Sequence, residues 1–346
     1  MTDRAADRFA DAPTVLEVQN LGVAVGPRRS RTQVVHDAGF RLRRGEILAL
    51  VGESGSGKSL SMLALTGLLP AGSARITGGR AMFDGTDLTA LDARGMRSIR
   101  GARISMIFQD PLTALDPLQT IGAQIVEALR IHNRSIGRAE ATLRAVQSLE
   151  QVGIPDPAGA ARRYPHEFSG GMRQRAMIAI AMVNDPEILI ADEPTTALDV
   201  TIQAQILTLI SQTRDRTGMA VVLITHDLGV VGQIADTVVT MYSGRTVENG
   251  PADRVLRGPA HHYTRGLLDS IPPVDRAIPR LRAIPGSPPQ VGAPPAGCAF
   301  HPRCPRGAAE TVCRTDLPER RAVGAGTVCC HFPLALDLVK EAPDGA

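Results

Sequence analysis

The sequence predicts an α/β fold with an antiparallel β flank, a helical insertion and a small cysteine-rich C-terminal extension. Three observations carry that expectation. Short, wholly apolar runs (Ile188-Leu189-Ile190-Ala191 and Val221 to Thr225) read as parallel strands covered on both faces. Helical stretches alternate with these runs, as an α/β domain requires. After about residue 250 the composition shifts: residues 251–346 hold fifteen of the 25 prolines and all five cysteines.

Composition excludes several classes. A hydrophobic content of 43% and a charged content of 21% describe an ordinary globular chain of 346 residues, long enough for one large domain and a smaller appendage. The net charge of +3 is too small to point to nucleic acid or an anionic membrane surface as the main partner. The first dozen residues, Met1 to Ala12, contain Asp3, Asp7 and Asp11 and lack an apolar core, so no export signal is expected there. No apolar run reaches the roughly 18 uncharged residues of a membrane span. The nearest, Met219 to Tyr242, is broken by His226, Asp227 and Asp236.

Element by element, Val15 to Val51 reads as short strands and turns. Leu16-Glu17-Val18 alternates, and Gly45-Glu46 turns into the buried apolar strand Ile47 to Val51. Ser59 to Leu69 reads as a helix, apolar on most faces and stopped by Pro70. Ile104 to Phe108 is a further short strand. Residues 113–183 have helical periodicity, as in Ile121, Ile125, Val126 and Leu129, and again in Leu143, Val146 and Leu149. They form the expected helical insertion. The proline-rich tail is expected to hold no long regular helix or sheet, and its cysteines are the natural staple.

Between the strand ending at Val51 and the following helix stands Gly52-Glu53-Ser54-Gly55-Ser56-Gly57-Lys58-Ser59, which fits G-x-x-x-x-G-K-[ST]. Gly52, Gly55 and Gly57 let the backbone turn, so that N–H groups around Ser54 converge on phosphates. The helix that follows points its positive N-terminal end at the same place. Lys58 is expected to reach the β- and γ-phosphates, and the Ser59 hydroxyl to ligate Mg²⁺. A glycine-rich turn before a helix also occurs for purely structural reasons, but here it sits where the mechanism needs it.

The apolar run Ile188 to Ala191 ends in two adjacent carboxylates, Asp192 and Glu193. Two acids at a buried strand end are costly without a cation or a proton between them. Asp192 suits Mg²⁺, and Glu193 suits orientation and deprotonation of an attacking water. The alternative is a strand end that simply meets solvent.

With Ser169-Gly170-Gly171 between these motifs, the chain resembles the nucleotide-binding subunits of ABC transporters, a P-loop NTPase cassette with a RecA-like core. The resemblance implies a set of further roles. Gln109 is implied to sense Mg²⁺ and the γ-phosphate and to couple to the membrane partner. Ser169, Gly170 and Gly171 are implied to cap the γ-phosphate held by a second subunit. Asp199, in Thr196-Ala197-Leu198-Asp199, is implied to cross the dimer interface, and His226 to contact the γ-phosphate. Phe168 and Met172 stand where the commonest signature has Leu and Gln. The family usually places an aromatic ahead of the cradle to stack on adenine, but Val25 stands there. Stacking of that kind is worth roughly 1–3 kcal/mol, so modest ATP affinity and weak base selectivity are expected, unless Arg28 or Arg29 supplies a guanidinium plane.

A narrower resemblance covers nearly the whole chain. Phe108 to Pro117, Ala191 to Leu207, His262-Tyr263-Thr264-Arg265-Gly266-Leu267-Leu268 and Gly297 to Pro305 resemble the dipeptide, oligopeptide and nickel importer ATPases. His262 departs from the proline usual in that motif. The cysteines are spaced by five, eight and sixteen residues from Cys298 to Cys304, Cys313 and Cys330. Four thiolates in so short a segment could form a Cys₄ site, and spacing alone does not choose between a cluster, structural zinc and plain reduced cysteines. The resemblance implies a [4Fe–4S] cluster on Cys298, Cys304, Cys313 and Cys330, with Cys330 favoured over Cys329, and a structural role for it.

These readings predict an ABC nucleotide-binding domain over residues 1–255, with the helical insertion at about 113–183, and an importer-type extension over residues 256–346. The resemblance implies an ATPase, with ATP and Mg²⁺, peripheral on the cytoplasmic face of a membrane. It would power peptide import through two transmembrane permease subunits, served by an extracytoplasmic solute-binding protein. A second cassette, a paralogue or the chain itself, completes the sites. The alternatives are an importer of nickel or another small solute and a soluble ABC ATPase outside transport.

Overall fold

The computed structural model describes Phe9 and residues 12–196, 198–272 and 283–334. Asp3, Asp7 and Asp11 of the N-terminal stretch, and Ala197, lie outside the described residues. Along the chain run β1 (Thr14–Val25), β2 (Thr32–Arg43), β3 (Ile47–Val51), α1 (Lys58–Leu65), β4 (Ala74–Phe83), β5 (Thr86–Asp87), α2 (Ala93–Ile99) and β6 (Ile104–Ile107). Helices α3 (Pro111–Ala114), α4 (Ile121–His132), α5 (Arg138–Gln151), α6 (Pro157–Ala160) and α7 (Gly170–Met182) follow, then β7 (Ile188–Asp192), α8 (Val200–Thr217) and β8 (Ala220–Thr225). The chain continues through α9 (Leu228–Ile234), β9 (Thr237–Tyr242), β10 (Arg245–Pro251), α10 (Ala252–Arg257), α11 (His262–Asp269), α12 (Thr311–Thr315), β11 (Arg320–Val323) and β12 (Gly326–Cys329).

Residues fall into two compact units. The first comprises 1–43, 47–89 and 225–346; the second comprises 44–46 and 90–224. The phosphate loop and the C-terminal extension therefore belong to one unit.

In the first unit the strand order is β5-β4-β1-β2-β10-β9-β3. Strands β1, β2 and β4 are the antiparallel flank, with Leu16 opposite both Leu42 and Phe83. They are longer than the short strands the sequence suggested, because register shifts near Leu21 to Val23 interrupt the alternation without ending the pairing. Strand β3 is buried at every position and runs parallel to β9, from Leu48 beside Thr237 to Val51 beside Thr240. Ala49, Val51, Leu228, Val231, Val238, Ala252 and Val255 form the core beside it.

Helix α1 ends at Leu65, short of the expected Leu69. Gly67 adopts a left-handed φ of 63°, and the Thr66 hydroxyl donates to Met62 O at 2.9 Å, so the chain turns off before Pro70 is reached. Ser243 and Gly244, at φ 46° and 76°, make the β9–β10 hairpin turn. Strand β10 then bridges β2 at Arg245–Asp37, and further on its Glu248 and Asn249 pair antiparallel with Val328 and Thr327 of β12. The proline-rich tail thus contributes a short β11–β12 hairpin to a sheet, which its composition did not show.

In the second unit β8, β7 and β6 are parallel, with Ile188 beside both Ala220 and Ile104. The β7 and β8 side chains are buried throughout, as the continuous apolar runs require. Strand β6 stops at Ile107, and Phe108 is 38% exposed. The helical insertion consists of α3 to α7, punctuated at Pro117, Gly137, Gly153 and Pro165. Thr120, Asp156 and Ser169 cap α4, α6 and α7 through side-chain oxygens.

Candidate active site

The phosphate loop leaves β3 through three left-handed glycines, Gly52 at φ 149°, Gly55 at 79° and Gly57 at 96°. A Cβ on Gly52 would stand 2.2 Å from Met241 O, so only glycine fits against β9. Gly57 is the N-cap of α1, a helix without an acid in its first turn, so its positive end faces the loop undiminished. The Lys58 ammonium is folded over the loop and donates to Gly52 O at 2.7 Å, Glu53 O at 3.0 Å and Ser56 Oγ at 3.3 Å. It is buried, whereas Ser54 and Gly55 are exposed and Ser59 is half-buried. Backbone donors, a helix terminus and an ammonium collected on one loop are the chemistry that a polyphosphate requires. His226 is exposed, at the start of the segment leading into α9, whose N-cap is Asp227.

Residue 53 of the loop is held from two sides. Its N–H donates to the Tyr263 hydroxyl at 2.7 Å. Its carboxylate accepts a forked pair from the Arg303 guanidinium, Nη1 to Oε2 at 2.6 Å and Nη2 to Oε1 at 2.9 Å. Arg303 is 5% exposed and also donates from Nη1 to Tyr242 OH at 3.3 Å and from Nε to Pro285 O at 3.0 Å. The Glu53 hydrogen bonds hold its guanidinium in the charged form, and burial pushes the Tyr263 phenol far above its ordinary value. Tyr242, Tyr263 and Phe300 pack around this group in tilted and edge-to-face pairs with ring centroids 4.5–5.3 Å apart.

In the second unit, Asp192 is the buried last residue of β7. Glu193 follows in a left-handed conformation, φ 46°, which costs a residue with a Cβ about 1–2 kcal/mol. The conformation is held by its N–H donating to Ile224 O at 3.0 Å. Its Oε2 accepts from Gln109 Nε2 at 3.1 Å and from Thr196 Oγ1 at 2.9 Å. The sequence motifs that supply Gln109 and Glu193 are thereby brought together on one carboxylate. Ser169 caps α7 by accepting from Met172 N–H at 3.3 Å, and Gly170 has open space where a Cβ would be. Asp199 is exposed and caps α8, accepting from Ile202 N–H at 2.9 Å.

Cys298, Cys304, Cys313 and Cys330 line one pocket, walled by Phe300, Phe332 and His261. Cys329 faces elsewhere, onto a pocket shared with Asp37, Arg245 and Leu317. Burial, reinforced by the neighbouring sulfurs, pushes the Cys298 thiol up to about 11 and the Cys330 thiol up to about 12. Soft donors converging in a pocket of limited water access fit a thiophilic metal by donor chemistry. Among the described residues, however, no group of three or more His, Cys, Asp or Glu side chains stands at metal-holding distances.

Sequence reasoning did not single out Glu53, Tyr263 or Arg303 for a role. The local signal for Arg303 is a cation set between Cys298 and Cys304, next to the second. Val25, at the position where the resemblance implies a stacking aromatic, is half-buried at the end of β1, and Arg28 and Arg29 are exposed in the turn beyond it.

The ABC transporter family profile matches residues 35–196, and that of the oligopeptide/dipeptide transporter C-terminal region matches residues 247–313. The chain is 51% identical over 291 residues to the dipeptide transport ATP-binding protein DppD of Bacillus subtilis (strain 168), spanning 84% of this chain and 87% of that one. It is 45% identical over 335 residues to the oligopeptide transport ATP-binding protein OppD of Salmonella typhimurium, spanning 96% and 98% respectively. A similar solved structure is the dimeric post-hydrolysis state of the ATP-binding cassette MJ0796 bound to ADP and Pi, with a TM-score of 0.62, 26% identity and coverage of 68% of this chain and 98% of that one.

Proposed function

Because this chain belongs to the ABC transporter family, in the branch of peptide-transport ATP-binding proteins, we propose that it hydrolyses ATP to drive peptide import through a separate membrane permease. Lys58 and the loop N–H groups bind the β- and γ-phosphates and offset the charge that builds up as the γ-phosphoryl leaves. Ser59, Asp192 and Gln109 are the residues that would hold Mg²⁺, which supplies further charge neutralisation when bound. Glu193 orients the attacking water and takes its proton, with Gln109 and Thr196 fixing the carboxylate. His226 contacts the γ-phosphate. Ser169, Gly170, Gly171 and Asp199 serve the site of a second cassette, which we take to be a paralogue or another copy of this chain.

The observation that carries the reading is the strained Glu193, whose carboxylate is oriented by Gln109 and Thr196 at the end of a buried strand. Strain of this kind persists where function needs a fixed side chain. Glu193→Gln should keep ATP affinity and lose about 10²–10⁴-fold in turnover, the usual contribution of a general base. Hydrolysis at the wild-type rate by that variant would remove the base assignment.

Among the described residues no helix is long and apolar enough to cross a membrane. We place the chain as a peripheral subunit on the cytoplasmic face of the membrane through its permease partners. The groove between α4, α5 and α6, lined by Ala123, Glu127, Arg130, Arg138 and Thr142, is our candidate seat for one of two permease subunits. An extracytoplasmic binding protein would deliver cargo, and its ligand affinities would separate peptides from nickel or other small solutes. We read Cys298, Cys304, Cys313 and Cys330 as holding a [4Fe–4S] cluster, with structural zinc as the alternative. Either would staple the extension.

A further inference from the structure

The extension is built into the nucleotide site, and one of its residues acts there. We infer that Arg303 is a positioning residue for the phosphate loop: it anchors Glu53 and cancels that carboxylate's charge beside the triphosphate. This rests on the ATPase reading above.

Three contacts from the C-terminal part of the chain reach the loop. Arg303 forks onto the Glu53 carboxylate at 2.6 and 2.9 Å. The Tyr263 hydroxyl receives the Glu53 N–H at 2.7 Å. Val291 Cγ2 lies 3.3 Å from where a Gly55 Cβ would stand, with Pro288 and Pro289 lining the same pocket against Ser54 and Ser56. The neighbouring structure makes the guanidinium rigid. Its Nε is bonded to Pro285 O, its Nη1 touches Tyr242 OH, and the Tyr242 and Phe300 rings lie 5.9 and 6.0 Å away.

Two consequences follow for ATP. Glu53 is the residue after Gly52, so pinning its side chain and its N–H fixes the first turn of the cradle and spares ATP the cost of ordering it. Glu53 is also an anion inside an anion-binding loop. Its side chain is 25% exposed, and without Arg303 it would repel the phosphates at short range. The second consequence has a sign that a merely structural role lacks. If Arg303 only held the extension together, neutralising Glu53 would not rescue its loss.

The test measures ATP affinity by isothermal titration, with KM, kcat and thermal midpoint, on the full chain. Arg303→Ala should weaken ATP binding about tenfold, the scale of one lost charge-assisted bond. KM should rise in step, with kcat at saturation within about twofold, because the lost term is ground-state binding. Arg303→Lys should recover part of the loss. Glu53→Gln/Arg303→Ala should bind ATP more tightly than Arg303→Ala alone. Arg314→Ala, on the exposed face of α12, should change nothing. A folded Arg303→Ala chain with wild-type affinity, or a double variant no better than the single one, overturns the inference. If Arg303→Ala does not fold, Tyr263→Phe removes the acceptor of the Glu53 N–H while keeping the ring. It should weaken binding about threefold, and wild-type affinity there overturns the inference equally. A wild-type chain that binds no ATP would instead fell the ATPase reading, whatever the variants do.

Discussion

Gly52 shows how a single residue fixes the cradle. Its φ of 149° is open to glycine, and any Cβ would stand 2.2 Å from Met241 O of the neighbouring β9 strand. That atom is backbone and is held in the sheet, so it does not yield. Gly52→Ala should therefore destabilise the fold by about 1–3 kcal/mol and abolish ATP binding. Gly78→Ala, at ordinary φ with open space around it, should be neutral. Denaturant unfolding with ATP titration checks both, and a Gly52→Ala chain as stable as wild type would refute the steric account. Residue types in contiguous patterns were legible from the sequence: Gly52, Lys58, Ser59, Asp192 and Glu193 all lie in short motifs whose spacing encodes a turn or a strand end. The left-handed backbone of Glu193 was not legible, because nothing in Ala191-Asp192-Glu193-Pro194 distinguishes a strained carboxylate from an ordinary one. Nor was the bond of Arg303 to Glu53, between residues 250 apart in sequence. Local pattern carries no information about such a pairing, which only the folded chain creates.

At the scale of elements, β3, β7 and β8 announced themselves because strands buried on both faces must be apolar throughout. Strand β4 did not. Its Ala-Arg-Ile-Thr-Gly-Gly-Arg is mostly exposed or half-buried, so no face is marked. The tail was legible as irregular, but its β11–β12 hairpin was not, because it pairs through Glu248 and Asn249, residues of β10 beyond its bridge to β2 at Arg245–Asp37, and no local pattern marks that edge as open. Elements this short have little core of their own. Ala260, Val328 and Cys330 form one small cluster, and Tyr242, Tyr263 and Phe300 another. The four thiols line an apolar-walled pocket beside these clusters, and the metal staple proposed there is open to test. The chain purified without oxygen should carry metal, with the broad visible absorption of an iron–sulfur centre or, for the alternative, colourless zinc. Cys330→Ser should lose that metal and lower the thermal midpoint, whereas Cys329→Ser, facing the other pocket, should keep it. Elemental analysis decides the matter: a metal-free wild type, or equal loss in both variants, removes the centre.

For the whole molecule, the central question is whether one chain suffices. Within one chain Ser169 and Gly170 are exposed, Gly170 with open space where a Cβ would be, and Asp199 is exposed next to Val200, which is 83% exposed. Hydrolysis that needs the cradle of one cassette and the signature of another predicts complementation. Lys58→Ala alone should be inactive because its cradle lacks the ammonium, and Ser169→Arg alone should be inactive because it cannot cap its partner. If copies of this chain pair with each other, an equal mixture forms mixed dimers in half of the pairs, each with one intact site of two. The mixture should then regain roughly a quarter of wild-type activity, and wild-type specific activity should fall on dilution. Recovery absent while activity still falls on dilution with a co-purified second cassette assigns the partner to a paralogue. Specific activity unchanged on dilution, with no recovery in the mixture, would mean that each chain works alone, and the shared-site mechanism would be wrong.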